Sequence, residues 1–304
     1  MTPSLNSGQY IEQAIRSVKA QTYSNLEHII IDGCSTDDTQ AIIDKYRGTY
    51  NLKVIREPDR GGSDAINKGI KMARGNVCGL LNADDLLPPW SLTLVADAFA
   101  RRPLIDCVYG DTLLMHMGAG FATINFSPRP ARINRHLNFD GIFSMSMFWR
   151  RQKILELGLF DESFALANDY EFEIRAARAG FRFHKVEAPL ACFRWRYSSL
   201  SIRDPLSFKS EIGRIRQKYF EGKQVQILPL TLYKLGWLVS HASGFLTTLS
   251  GRHSVLREAG LVSNSRLVAY FFTAPLFHAS IFTARLARNG FVDANKLLAL
   301  IAKG

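Results

Sequence analysis

Short apolar runs alternate with helically spaced stretches through the first 111 residues of this 304-residue chain, and that alternation restricts its fold more than any other feature. The runs "EHIIID" (27–32), "LKVIRE" (52–57), "VCGLL" (77–81) and "DCVYGD" (106–111) read as strands. Between them, "STDDTQAIIDKY" opens with Ser35 or Thr36 in capping position, and "SDAINKGIKMA" follows a Gly-rich turn. A third helix starts near Pro89, where the fixed φ of proline suits a first turn. Helices of about ten residues between strands imply parallel β-α-β crossovers, and so an α/β domain with helices on both faces of its sheet. Ligands in such sheets bind beyond the carboxyl ends of the strands, and Asp32, Asp84 and Asp85 fall at such ends.

Further along, residues 112–126 read as irregular strands around "MGAG". A helix over 168–179 stops at Gly180, and "FRFHKVEAPLACFRW" reads as a closing strand and turn. After about residue 204 the alternation gives way to long apolar helical patterns, which divides the chain into 1–204 and an α-helical region over 205–304. Charge divides near the same point. Residues 1–200 hold 24 Lys+Arg against 22 Asp+Glu, residues 201–304 hold 14 against 5, and the whole chain carries +11. A strongly basic last third points to an anionic partner. No zinc-finger, basic-zipper or RNA-binding signature is present, so nucleic acid is not expected. Cys34, Cys78, Cys107 and Cys192 form no C-x-x-C pair and suit reduced, buried thiols in a cytoplasmic protein. The opening "MTPSLNSGQY" lacks the basic region and apolar core of a secretory signal.

The stretch "LLNADDLLPP" sets two adjacent carboxylates straight after a buried run. Such a pair can cap the next helix, hold a cation or act in acid–base chemistry. Hard oxygen ligands suit Mg²⁺ or Mn²⁺, which take one or two protein carboxylates and fill their other positions with substrate phosphates. That chemistry points to a metal-held diphosphate. The segments "TPSLNSGQYIEQAIRSVKAQTY", "IIIDGCSTDDT", "EPDRGGSDAINKG", "LLNADDLLPP" and "NDYEFEIR" follow in the order found in the inverting family-2 glycosyltransferases of GT-A fold, and the chain resembles that family over roughly residues 1–200. The resemblance implies a Rossmann-like, mostly parallel sheet flanked by helices. It also places Asn82 at the first position of the metal-binding D-x-D element and Asp84 at the third, as ligand of the divalent metal, with Asp85 as an auxiliary ligand.

The same resemblance implies roles for the other motifs. Asp32 could by itself be a turn aspartate bonding its own backbone; in the family its equivalent accepts a hydrogen bond from the donor nucleobase, usually uracil. Thr2 and Pro3 match the loop that follows the first strand and lines the nucleotide pocket. The strand itself is missing ahead of them, so the expectation is a start placed too far downstream, and the alternative is a sheet one strand short. "DRGGSDAINKG" holds neither a Walker A pattern nor G-x-G-x-x-G. Asp64 and Asn67 are candidate donor contacts or helix-capping residues, and Ile66 stands where the family often carries Arg. Asp169 in "ANDYEFEIR" corresponds to the general base, the second acid of the family's Glu-Asp element, with Asn168 replacing the first. Without the resemblance, Asp169, Glu171, Glu173, Arg175 and Arg178 read as a solvated helix face, and Glu171 is the next candidate base. In "ACFRWRYSSLS", Ala191 stands where processive synthases have the Gln of Q-x-x-R-W, which argues for transfer of a single sugar. Arg194 and Arg196 are candidate diphosphate contacts or surface residues.

An inverting transfer needs one carboxylate to take the acceptor's proton and charge stabilisation on the departing diphosphate. One base and one metal site suffice. In the basic third, "LGWLVSHASGFLTTL" (235–249) and "LVAYFFTAPLFHASIFTA" (267–284) hold no Asp, Glu, Lys or Arg. The second lies at the lower edge of spanning length, and a spanning pair would export Arg252, Arg257 and Arg266 against the positive-inside tendency. Helices lying on an anionic membrane surface fit better, with soluble packing next. The sequence therefore reads as a metal-dependent (Mn²⁺ or Mg²⁺) inverting glycosyltransferase. It would move one sugar from a nucleotide-sugar donor, UDP- or similar, to a lipid-linked or surface-polysaccharide acceptor at the inner face of the cell membrane. A nucleotidyltransferase of similar fold would want a Gly-rich N-terminal loop with Arg and Lys, which "TPSLNSG" lacks. A catalytically silent membrane scaffold would have no need of Asp32, Asp84 and Asp169.

Overall fold

The computed structural model describes residues 1–116, 121–125, 142–195, 203–220 and 292–302, together with Ser127 and Ala259. Its strands are β1 (Thr2–Ser4), β2 (His28–Asp32), β3 (Leu52–Arg56), β4 (Val77–Gly79), β5 (Cys107–His116), β6 (Phe121–Asn125), β7 (Met147–Arg150), β8 (Phe183–Trp195) and β9 (Val292–Asp293). Its helices are α1 (Ile11–Lys19), α2 (Thr39–Asp44), α3 (Gly62–Met72), α4 (Ser91–Arg101), α5 (Arg151–Leu157), α6 (Asn168–Arg178), α7 (Pro205–Phe220) and α8 (Ala294–Ala302).

Every residue of β2 is buried, and a strand buried on both faces requires a helix layer on each side. Successive side chains of a strand point to opposite faces, so β2 feeds two layers. Ile30 packs with Ile11 and Ile15 of α1 and Ile43 of α2. Ile29 and Ile31 meet Ala65, Ile66 and Ile70 of α3. On α1 the buried Ile11, Ala14, Ile15 and Val18 follow the spacing i, i+3, i+4, i+7 of an amphipathic helix.

Strands β1, β2 and β3 form a parallel sheet, with Thr2 opposite Ile30 and His28 opposite Leu52. The other strands form a mixed sheet in the order β4-β7-β5-β6-β9, and β8 runs parallel to β5. Two backbone bonds join the sheets. The Met1 nitrogen donates to Gly79 O at 2.9 Å, and Leu81 N–H donates to Met1 O at 2.9 Å. Asp32 and the Asn82–Asp85 loop thereby follow the carboxyl ends of strands on neighbouring parts of one surface.

Three features differ from the sequence expectation. Strands β4 and β5 are not parallel neighbours, because β7 inserts between them, antiparallel to both. Thr2–Ser4 is itself the first strand and not the loop after one; the ladder joins backbone groups, which a polar segment carries as well as an apolar one. Helix α2 starts at Thr39 with Asp38 at the N-cap and no side-chain cap bond, while the Ser35 hydroxyl donates to the buried Asp32 carboxylate. A charged acceptor draws that hydroxyl more strongly than a neutral helix end.

Helix α6 ends as the sequence implies. Gly180 takes a left-handed φ of 78°, and Phe181 N–H returns to Ala176 O at 3.1 Å. Helices α7 and α8 lie beyond residue 204 and pack back on the α/β unit. Ile215 of α7 is fully buried in the cluster that holds Phe164, Phe172 and Ile174. Glu211 accepts the backbone N–H groups of Ala165, Leu166 and Ala167 at 3.0, 2.9 and 2.8 Å. Leu297 and Ile301 of α8 join Leu113 of β5 and Cys192 of β8. The four cysteines are free, with Cys78, Cys107 and Cys192 buried. The stretches 235–249 and 267–284 lie outside the described residues, and no described helix is long and apolar enough to cross a membrane.

Glu211→Ala removes the acceptor of three backbone donors, so it should lower stability by about 1.5–3 kcal/mol, the scale of bonds to a charged group. Urea unfolding checks this. A loss under about 0.5 kcal/mol, the range of ordinary surface substitutions, would show that α7 does not clamp residues 165–167.

Candidate active site

After β4 the chain leaves the sheet through Asn82-Ala83-Asp84-Asp85, and Leu86 then pairs with β8. Leu86 N–H donates to Cys192 O at 3.0 Å and Cys192 N–H donates to Leu86 O at 2.8 Å. That bridge brings Arg194 against the loop. Asp85 is 0% exposed; Oδ1 accepts Arg194 N–H at 3.0 Å and Oδ2 accepts the Asn82 amide at 2.9 Å. Burial, and next the charge of Asp84, push the Asp85 carboxyl up to about 8. The Arg194 guanidinium, on a residue only 2% exposed, donates to Gln13 Oε1 of α1 and lies 5.5 Å from the Tyr10 ring centre. Asp84 is half-buried at the mouth of this junction. Asn82, Asp84, Asp85 and Arg194 are thus brought together where β4, β8 and α1 meet.

The donor set suits a hard divalent cation shared with a substrate. No group of three His, Cys, Asp or Glu among the described residues could hold a metal unaided. One half-exposed carboxylate whose remaining positions go to phosphate oxygens is the arrangement such cations adopt. Each oxygen of Asp85 accepts a protein hydrogen bond, so it holds Arg194 and Asn82 in place.

At the end of β2, Asp32 is fully buried. It accepts Ser35 N–H at 3.2 Å and the Ser35 hydroxyl, with Arg56 Nε at 3.4 Å. The Asp59 carboxylate lies where a Cβ would stand at Gly33, so a larger residue there would push the Asp59 side chain aside. Ser4, the register partner of Asp32, is 4% exposed, and its hydroxyl has no hydrogen-bond partner among the described residues. An orphaned buried hydroxyl at a strand's carboxyl end is the kind of group a ligand satisfies, and nothing in the local sequence singled it out. Thr2 turns inward instead: its Oγ1 lies 2.9 Å from His28 Nε2, and His28 Nδ1 lies 2.7 Å from the Tyr50 hydroxyl. Pro3 sits between them opposite Ile31.

On α3, Asp64 accepts Arg60 N–H at 3.0 Å and pairs with Lys68 at 3.2 Å, and the Arg60 bond leads in holding its carboxyl below the usual range. Asn67 clamps Phe160 on both sides, donating to its O and accepting its N–H at 2.9 Å each. These bonds make Asp64 a helix-start residue and Asn67 the fastener of the 158–164 loop. Helix α6 begins beside α3, where Asn168 donates to Ser63 Oγ at 2.8 Å and Ser63 donates to Phe164 O at 3.1 Å.

Asp169 accepts Tyr170 N–H at 2.8 Å and the Ser144 hydroxyl, while burial raises its carboxyl above the ordinary range. It lines an apolar cavity with Glu173, Met1, Ile66, Leu80 and Phe172, and Leu80 also leads into the Asn82–Asp85 loop. Helix α6 is not the solvated acidic face that its composition suggests, since Glu171 and Glu173 are both buried. Glu171 is taken by Arg175 at 2.9 Å, by the Tyr219 hydroxyl and by Lys218 at 3.5 Å, which leaves it no reach toward a substrate. Arg196 lies outside the described residues.

Residues 1–158 match the glycosyl transferase family 2 profile. A PGL/p-HBAD biosynthesis glycosyltransferase of Mycobacterium bovis is 29% identical over 177 residues, covering 57% of this chain and 66% of that protein. An uncharacterised Sinorhizobium fredii protein is 31% identical over 171 residues, 54% of this chain and 18% of that one. The chain thus spans less than two thirds of the length of these relatives. A mannosyltransferase from Pyrobaculum calidifontis, solved with GDP-Man and Mn²⁺, matches with a TM-score of 0.58 at 16% identity, over 99% of this chain and 84% of that one. S. aureus TarS, solved with UDP-GlcNAc, matches with a TM-score of 0.55 at 17% identity, over 99% and 89%. The shared architecture is the GT-A fold.

Asp85→Ala should strip the acceptor from two donors, Arg194 N–H and the Asn82 amide, and lower stability by about 1–3 kcal/mol, the cost of leaving buried donors unpaired. Thermal or urea unfolding reads the change. An unaltered midpoint would mean that Asp85 does not hold the junction together.

Proposed function

The chain belongs to glycosyl transferase family 2, and on that footing we propose that it transfers a single sugar, with inversion and with a divalent metal, from a nucleotide-sugar donor to a hydroxyl of a lipid-linked or surface-polysaccharide acceptor. The observation that carries this reading is the junction after β4, where half-buried Asp84 stands beside buried Asp85 and Arg194 at the carboxyl edge of the sheet. Fold relatives solved with GDP-Man and Mn²⁺, and with UDP-GlcNAc, support a nucleotide sugar and a divalent cation.

Asp84, with Asp85 behind it, would hold Mn²⁺ or Mg²⁺ together with diphosphate oxygens, and the metal would supply Lewis-acid stabilisation of the departing nucleoside diphosphate. Arg194 offers the same diphosphate a fixed positive charge. Asp32 and Ser4 stand where the donor base would be read, and Asp64 and Asn67 keep the adjoining turn and loop in shape. Asp169 takes the proton of the acceptor hydroxyl as its oxygen attacks the anomeric carbon opposite the leaving group. Burial favours this role, because a carboxylate held above the ordinary range binds the proton more firmly than an exposed one. No glycosyl-enzyme intermediate is needed.

In this reading residues 1–204 carry the chemistry. Residues 205–304 attach the enzyme to the inner face of the cell membrane, where a lipid-linked acceptor would be presented. Their 13 basic and 4 acidic residues and their uncharged stretches support that attachment.

Calorimetric titration with UDP and with GDP should give tighter binding in Mn²⁺ than in chelator, and Asp84→Ala should erase the difference. Asp169→Asn should keep that binding while lowering transfer by about 10²-fold or more. Equal affinity with and without metal in the unaltered protein would sink the metal assignment; full turnover in Asp169→Asn would move the base elsewhere.

The chain should also co-sediment with anionic vesicles and much less with neutral ones, each nearby Lys or Arg adding about 1 kcal/mol. High salt should release an interfacially attached protein. Indifference to anionic vesicles would remove the main support for a lipid-linked acceptor.

A further inference from the structure

Glu173 is 3% exposed, and no described group donates a hydrogen bond to its carboxyl. It follows Asp169 by one turn on the same face of α6, and the two acids line the same apolar cavity. The other acids of the helix have settled partners. Asp169 accepts Tyr170 N–H and the Ser144 hydroxyl, and Glu171 is bonded to Arg175 and Tyr219. Among the described residues around Glu173, the titratable and polar groups are Asp169 on its own helix, the Cys107 thiol of β5, the Cys78 thiol of β4, the Ser144 hydroxyl and the Trp149 indole of β7. The Met1 nitrogen also borders the cavity but is engaged with Gly79 O. Among the described residues, no Lys, Arg or His side chain lines the cavity.

An ionised carboxylate there would lose its water and face the charge of Asp169, two penalties of the same sign. Burial first and Asp169 second push the Glu173 carboxyl well above the ordinary range. Asp169 has two donors that favour its anion and Glu173 has none, so of the two acids Asp169 is the better placed to hold a charge.

We infer that Glu173 is a positioning residue for the base: a neutral carboxylic acid whose O–H faces the Asp169 carboxylate across the cavity and holds it ready for the acceptor. The inference rests on the reading of Asp169 as the base. A cation in this place would make Asp169 less basic, and an apolar residue would leave its inner side without a donor. A protonated acid supplies the donor without the charge. When Asp169 takes the acceptor's proton, the acceptor O–H bond breaks and that oxygen bonds the anomeric carbon. The bond from that carbon to the diphosphate oxygen breaks, its electron pair leaves on the nucleoside diphosphate, and the acid pair becomes neutral.

The test compares Glu173→Gln, which keeps size and an N–H donor, with Glu173→Leu, which keeps size alone, in the full chain. Glu173→Gln should transfer within about threefold of the unaltered protein, whereas Glu173→Leu should lose about tenfold or more in kcat with the donor KM unchanged. The acid limb of the pH profile should stay in place in Glu173→Gln, because one neutral group replaces another. An ionised Glu173 would instead make its removal shift that limb to lower pH. If Gln damages turnover as much as Leu, or moves the limb, the positioning role is wrong.

A second measurement needs no activity. Above about pH 4.3 the unfolded chain releases the Glu173 proton while the folded chain keeps it, so the stability of the unaltered protein falls as pH rises. Its Tm should therefore drop relative to that of Glu173→Gln between about pH 4.5 and 7. Parallel Tm curves would overturn the neutral acid whether or not transfer is detected. If Glu173→Gln does not fold, ¹³C NMR of Glu-labelled unaltered protein reads the same proton. One glutamate carboxyl that stays untitrated to pH 7 is expected, and titration of all of them overturns the inference. Full turnover in Asp169→Asn together with diverging Tm curves would mark the failure of the base assignment alone.

Discussion

The buried carboxylate of Asp85 is the contact on which the geometry of the site depends. An ionisable group removed from water is costly unless donors surround it. The donors here come from its own loop, through the Asn82 amide, and from the far end of β8, through Arg194 N–H. Meeting that need fixes the register of Leu86 against Cys192 and carries the Arg194 side chain to Gln13 of α1. The length of β8, thirteen residues laid along β5, delivers Arg194 to this point. With the loop held from behind, Asp84 keeps a defined place at the mouth.

Helix α6 is held by a different means. Its first turn carries Asp169 and is fastened to α3 through Asn168, Ser63 and Phe164, with Asn67 clamping the preceding loop at Phe160. Helix α7 grips the same segment from outside, Glu211 taking three backbone N–H groups just ahead of Asn168 and Lys218 pairing with Asp161 at 2.9 Å. The described part of the basic third is therefore part of the framework around Asp169. Helix α8 packs elsewhere, its Leu297 and Ile301 joining Leu86, Leu113 and Cys192 beside the Asp85 junction.

What could be read from the sequence was what an element says about itself. The all-buried β2, the i, i+3, i+4, i+7 face of α1 and the Gly180 stop of α6 follow from local periodicity and backbone preference. The insertion of β7 between β4 and β5 does not, because a strand's partner leaves no trace in its own alternation. Thr2–Ser4 shows the same limit, since a three-residue polar segment becomes a strand only when β2 offers it a ladder. At the candidate site, spacing and family resemblance pointed to Asp84, Asp169 and Arg194, yet the commitments of Asn67 and Asp85 depend on partners 93 and 109 positions away. Ser4 and Glu173 carry no motif. Their interest lies in what does not bond to them, and only three-dimensional packing can reveal that.

The two acid pairs of the site are built alike and differ in one respect. In each, a half-buried aspartate, Asp84 or Asp169, has a deeply buried acid beside it, Asp85 or Glu173. Burial of Asp85 has a structural return, because its oxygens organise two segments of chain. Glu173 organises nothing: an apolar residue of its size would fill the cavity wall at lower cost, and a lysine would neutralise Asp169 outright. A buried acid that breaks the local rule without stabilising its surroundings is where structure yields to function. Among the described residues around it, Asp169 is the acid that a neutral donor would serve, so the destabilisation it brings is best understood as the cost of keeping that carboxylate charged without a cation beside it.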